Sequence, residues 1–174
     1  MATGTGQRRR DPPETGAESE AEGGDPPAVT IHAPAEAALA LSLAGNRGVL
    51  LLSAPGAAGF LGPAWFLGIV AAAATAVPGV PHKPVLDCAD APGQALGALR
   101  AGLRDLVLDS ACPAFAEVEA AAAAELGGRV RTVRPASLDL GALDLSRAGA
   151  RARLAKWLSD AGHQAPGDSP ATPR

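Results

Sequence analysis

Apolar residues come in short runs along this chain, and Gly, Pro and charged residues punctuate them. Val29-Thr30-Ile31-His32 reads as a first strand. Val49 to Leu52 is apolar at every position, as a strand covered on both faces requires. Val85-Leu86 and Leu106-Val107-Leu108 give a third and a fourth strand. Val130 to Val133 alternates with Arg129, Arg131 and Arg134, which suits a fifth strand at a sheet edge with one wet face.

Between these runs the apolar spacing turns helical. Pro34 suits the first turn of a helix running to about Ala44 and closed by Gly45-Asn46. A second helix is expected from Pro63 to Ala76, ending at Pro78-Gly79. Ala95, Leu96, Leu99 and Leu103 mark a third. Asp90 is placed to cap it, Pro92 sits just inside its start, and Gly102 is placed to stop it. Pro113 should open a fourth helix that Gly127-Gly128 ends. Ser137 to about Ala161 is expected to be helical in part.

Strands that alternate with helices predict a parallel sheet. The fold expected is a single three-layer α/β domain over residues 28–161, with about five mostly parallel strands and helices on both faces. A half-barrel-like α/β arrangement is the alternative. Residues 1–27 and 162–174 are rich in Gly, Pro, Ser and Glu without apolar periodicity and are expected to be disordered tails.

Composition narrows the function classes. Apolar residues reach 47%, but aromatics only 3%, so the core is one of Ala, Val and Leu. The net charge of −3 argues against a nucleic-acid partner, which calls for a concentrated basic surface. Two cysteines cannot support a disulfide framework, so a cytoplasmic location is the expectation. Arg8-Arg9-Arg10 precedes an acidic stretch rather than the apolar region of an export signal. No charged residue occurs from Gly48 to Pro81, and Gly59 to Val77 is long enough to span a bilayer. Its Ala and Gly content and Pro63 favour a buried helix, so a membrane association is not expected.

In parallel sheets ligands bind at the carboxyl ends of the strands. Four features fall there. Ser53-Ala54-Pro55-Gly56, followed by Gly59 and Gly62, lets backbone N–H groups approach an anion, although it is neither the dinucleotide fingerprint nor a phosphate-binding loop ending in Lys. Asp87, Asp90 and Asp109 together have the oxygen ligands for a divalent cation, an amine or sugar hydroxyls. Taken singly they are an N-cap and two strand-end turn formers, and no metal site is assigned. Cys88 and Cys112 each follow a strand. Cys112, ahead of Pro113 at a helix start, is the candidate nucleophile, but only His32 among the histidines falls at the same strand end to serve as its base. Arg134 can receive a carboxylate or phosphate.

These features point first to a binding or regulatory module with a small-molecule or anion site formed by Ser53, Gly56, Asp87, Cys88, Asp90, Asp109 and Arg134. The alternatives are an enzyme using Cys112 or the three aspartates, and a protein-interaction domain without a pocket. No cofactor and no oligomeric state are specified.

Two segments carry a resemblance. LLSAPGAAGFLGPAWF (residues 51–66) and LDCADAPGQALGALRAGL (residues 86–103) resemble parts of small uncharacterised bacterial α/β proteins. The resemblance extends over about residues 29–140 and implies the α/β fold but no activity. ALGALRAGLRDLVL (residues 95–108) is similar to a helix-to-strand joint in phosphate-binding barrels of the aldolase type. The chain departs from that family in having too few strands for an eight-stranded barrel. Its only lysines are Lys83, before a strand, and Lys156, on the last helix, so a Schiff-base aldolase is not implied.

Overall fold

The computed structural model describes residues 24–160. Residues 1–23 of the expected tail at 1–27, and all of the expected tail at 162–174, lie outside the described residues.

The chain alternates as expected. Strand β1 (Ala28–Thr30) leads to helix α1 (Pro34–Ala44) and a 3-10 turn (Gly45–Arg47). Strand β2 (Val49–Leu52) is followed by a single helical turn α2 (Ala57–Phe60) and by α3 (Pro63–Ala76). Strand β3 (His82–Asp87), α4 (Pro92–Arg100) and β4 (Asp105–Val107) form the central unit. Helix α5 (Phe115–Ala121) runs into a π turn (Ala122–Leu126) before β5 (Arg129–Arg131). Strand β6 (Ser137–Asp139) and helix α6 (Ala148–Asp160) complete the described chain.

All six strands are parallel, in the order β5-β4-β3-β2-β1-β6. The fold is therefore the α/β class expected, with six strands rather than five. The sixth lies where a helical start was expected. Its reason is the open side of β1: Leu140 N–H donates to the Thr30 carbonyl at 3.0 Å, and the Thr30 and Ser137 hydroxyls meet at 2.8 Å. A strand edge left without partners is costly, and three residues suffice to fill it.

Two helix starts also differ from expectation. Ala91, not Asp90, holds the N-cap position of α4, where no side chain bonds to the free N–H groups; Asp90 is exposed. Helix α5 begins at Phe115 with Ala114 before it, two residues beyond Pro113. The backbone around Cys112 is instead a turn, with Cys112 N–H bound to Asp109 O and Cys112 O accepting from Phe115. At the floor, residues 24–27, counted with the tail, are tied to the domain: the Pro27 carbonyl accepts from Leu50 N–H at 3.0 Å.

From β1 to β5 the chain makes four successive one-strand steps in the same direction. Right-handed crossovers then put the connecting helices on the same face. The larger core cluster accordingly joins Val29, Leu51, Leu86 and Leu106 to helix residues such as Leu41, Ile69, Leu99 and Val118. Leu154 and Leu158 bring α6 into the same cluster. The smaller cluster, Ala28, Leu50, Leu52, Val85 and Val107, consists of strand residues alone. Leu50, Leu52 and Val85 are nevertheless 0% exposed. Chain and long side chains tie the sheet together across this face, with Asp25 at the amino ends of the strands and Arg134 at the carboxyl ends. This second face has the character of the half-barrel alternative.

Helix α3 has 14 residues, and no helix among the described residues is long and apolar enough to cross a membrane.

Candidate functional site at the carboxyl ends of the strands

Arg134 organises this rim. It lies three residues beyond β5, on the loop that carries the chain from one edge of the sheet to the other. Its guanidinium reaches the central strands. Nη1 donates to Asp87 Oδ2 at 2.6 Å, and Nη2 donates to Thr30 Oγ1 at 3.0 Å and to the Ser53 carbonyl at 2.7 Å. Three strand ends, those of β1, β2 and β3, are thus held by one planar cation whose donors are set in a rigid fork.

Asp87 is the counterpart. Its side chain is 7% exposed, against 25% for Arg134. Its second oxygen, Oδ1, accepts from Gly56 N–H and Ala89 N–H, each at 3.0 Å. Its own N–H donates to Ser53 Oγ at 2.9 Å, and that hydroxyl donates in turn to the Ala54 carbonyl at 3.1 Å. A buried carboxylate needs this degree of pairing to stay charged. Gly56 has φ +63°, and Ala89, which is not glycine, has φ +46°. Both left-handed residues turn their N–H groups onto Asp87, so backbone conformations that are disfavoured for Ala89 are held at the site.

Beside this clasp stands a second pair. His32 Nε2 lies 2.8 Å from Asp139 Oδ1. An ionised carboxylate only accepts, so Nε2 is the donor in this pair. Strand alternation places Asp139 on the side of Ser137 in β6, and His32 follows the end of β1 by two residues. The His32 N–H is held by Glu36 Oε2 from the first turn of α1. A Cβ at Gly141 would stand 2.7 Å from His32 Cδ2, so a larger residue there would displace the imidazole.

The sequence-predicted residues therefore separate. Ser53, Gly56, Asp87 and Arg134 come together in one bonded network. Asp109 is adjacent through its backbone, with its N–H on the Ala89 carbonyl at 2.7 Å, while its carboxylate binds Ala111 N–H. Asp90 is exposed on the same turn. No group of three or more His, Cys, Asp or Glu side chains placed to hold a metal ion is found among the described residues. Cys88 is 1% exposed and belongs to the core cluster on the helix side. Burial, with Asp87's charge adding to it, pushes its thiol up to about 12. Cys112 is 7% exposed and lacks the helix start that was to activate it. Thr30, Ser137, His32 and Asp139 had no place in the predicted site. His32 was legible only as a strand-end histidine, and the others carried no signal.

The class so defined is a parallel α/β domain with a clasped, partly open arginine at its strand ends. Comparison with protein-family models finds no match, and no curated protein matches the chain.

Proposed function

We propose that this protein is a binding or regulatory module for a small polar molecule, seated over Arg134 at the carboxyl ends of the strands. The observation that carries the reading is the arginine itself. A permanently charged group has been brought from beyond the edge strand to the sheet centre, oriented by three partners, and left 25% exposed. Asp87 cancels most of its charge. A ligand with both an acceptor for the guanidinium and a donor for Asp139 or Asp109 suits the rim better than a bare anion. An enzymatic reading rests on His32, oriented by Asp139, rather than on Cys112.

A thermal-shift screen with nucleotides, sugar phosphates, acyl-CoA and polar metabolites tests the proposal. A ligand present at 100 times its dissociation constant stabilises by about 2.7 kcal/mol. The shift is expected to disappear in Arg134→Lys, which lacks the planar fork, and to weaken in His32→Gln. No shift with any class, or a shift indifferent to both substitutions, would refute a rim site and leave a protein-interaction domain as the better account.

A further inference from the structure

The amino ends of the strands hold a second arrangement, distinct from the rim. Asp25 lies three residues before β1, and its carboxylate is clamped by three cations from other strands. Arg131 Nη1 is 2.7 Å from Oδ2, Arg129 Nη2 is 3.1 Å from the same oxygen, and Lys83 Nζ is 3.5 Å from Oδ1. Arg131 is largely buried, with 13% of its side chain exposed. It is anchored from below by Asp105, through Nε at 2.6 Å and Nη2 at 2.6 Å. Arg129 and Lys83 remain about half exposed.

A cleft of about 480 Å³ opens beside this clamp, lined by His82, Lys83, Arg104, Arg129 and Asp105 among others. Its lining carries three full cations and one carboxylate. That carboxylate, Asp105, is already engaged by Arg129 and Arg131. The volume falls in the range of small-molecule sites.

We propose that Lys83, Arg129 and Arg131 form an anion site for a phosphate group, and that Asp25 is the plug which occupies it in the unliganded chain. Asp25 supplies what a phosphate oxygen would supply, a charged acceptor bridging two guanidinium groups and an ammonium. It sits on a segment without regular secondary structure, and the backbone tie of that segment to the sheet comes two residues later, at Pro27. A dianion brings one more charge than the carboxylate it displaces, and the cleft gives it a way in. The bonds of Arg131 to Asp105, through Nε and Nη2, do not involve Asp25.

The test uses inorganic phosphate, with sodium chloride at matched ionic strength as control, and reads binding by calorimetry and by melting temperature at pH 8. The full-length protein should bind phosphate weakly. Asp25→Asn, which removes the competing charge at nearly constant size, should bind it at least tenfold more tightly. Adding Lys83→Gln and Arg129→Gln to that variant should abolish binding. Equal phosphate affinity in the parent and in Asp25→Asn would overturn the plug. Stabilisation by chloride matching that by phosphate, or binding that survives loss of Lys83 and Arg129, would overturn the site. Should Asp25→Asn fail to fold, loss of the parent's own phosphate shift in Lys83→Gln/Arg129→Gln decides the matter. The rim variant His32→Gln should leave phosphate binding here unchanged, so failure at one end of the sheet is told apart from failure at the other.

Discussion

Asp87 meets three demands at once: it neutralises Arg134, holds the Gly56 turn and holds the Ala89 turn. The residue after it pays in reactivity. Cys88 is buried beneath the same turn, and its thiol is raised to about 12, chiefly by burial and further by Asp87. At pH 8 its thiolate fraction is on the order of one in ten thousand. We therefore expect Cys88 to resist iodoacetamide in the native protein, and to label only at the rate at which urea opens the fold. Peptide mass spectrometry across a urea series reads this directly. Labelling of native Cys88 at a free thiol's rate would mean that the strand end is open. The sequence placed Cys88 and Asp87 next to each other at a strand end, but Arg134 is 47 residues from Asp87. Local pattern carries no information about such a pairing, which arises only when the loop after β5 crosses the sheet.

Among the elements, those with strong punctuation were the legible ones. Helices α1 and α3 begin at Pro34 and Pro63 and end at Ala44 and Ala76 as their spacing predicts. Gly102, expected to stop α4, does adopt a left-handed φ of +103° two residues past its end. Strand β6 was illegible because it shows one apolar residue, Leu138, between Ser137 and Asp139, and because what defines it is a hydrogen-bonded neighbour rather than a pattern. The approach to α6 is held by Asp144, which accepts from the Ser146 hydroxyl and N–H and from Arg147 Nε. The Ser146 hydroxyl, followed by Arg147, holds the Asp144 carboxyl below its ordinary value. A lowered pKa stabilises the folded state above the unfolded-state value, and that stability is lost as pH falls through the folded one. Asp144→Ala should therefore lower the melting temperature at neutral pH, with a difference that fades on acidification below about pH 3.9, the ordinary aspartate value. A difference that stays constant from pH 7 to pH 2.5 would show that the carboxylate's charge plays no part.

At the scale of the whole molecule the two sheet faces are buried by different means. One is covered by helices in the ordinary way of parallel sheets. The other carries Leu50, Leu52 and Val85 with no exposure, though the cluster they form contains no helix residue. In a flat sheet β1 and β5 would stand four spacings apart, about 19 Å. Yet Asp25, just before β1, reaches Arg131 on β5, and Arg134, just after β5, reaches Thr30 on β1. The sheet is clasped at both ends across this face, and the apolar side chains fill the space between the clasps. The all-apolar β2 gave notice that both faces are covered, but not that they are covered differently. The consequence is measurable. If the clasped face is as well packed as the helical one, Leu50→Ala should cost about 3 kcal/mol, within the span for buried leucines, and Leu51→Ala, its neighbour on the helical face, should cost a similar amount. On a sheet face merely screened by loose chain, Leu50→Ala should cost under about 1 kcal/mol, because surface changes away from packed features have small effects. Urea denaturation of the two variants, compared at equal m-values, separates these cases. A small cost for Leu50 beside a full cost for Leu51 would refute a closed second core and, with it, the view that the clasps at the two ends of the strands hold one packed interior between them.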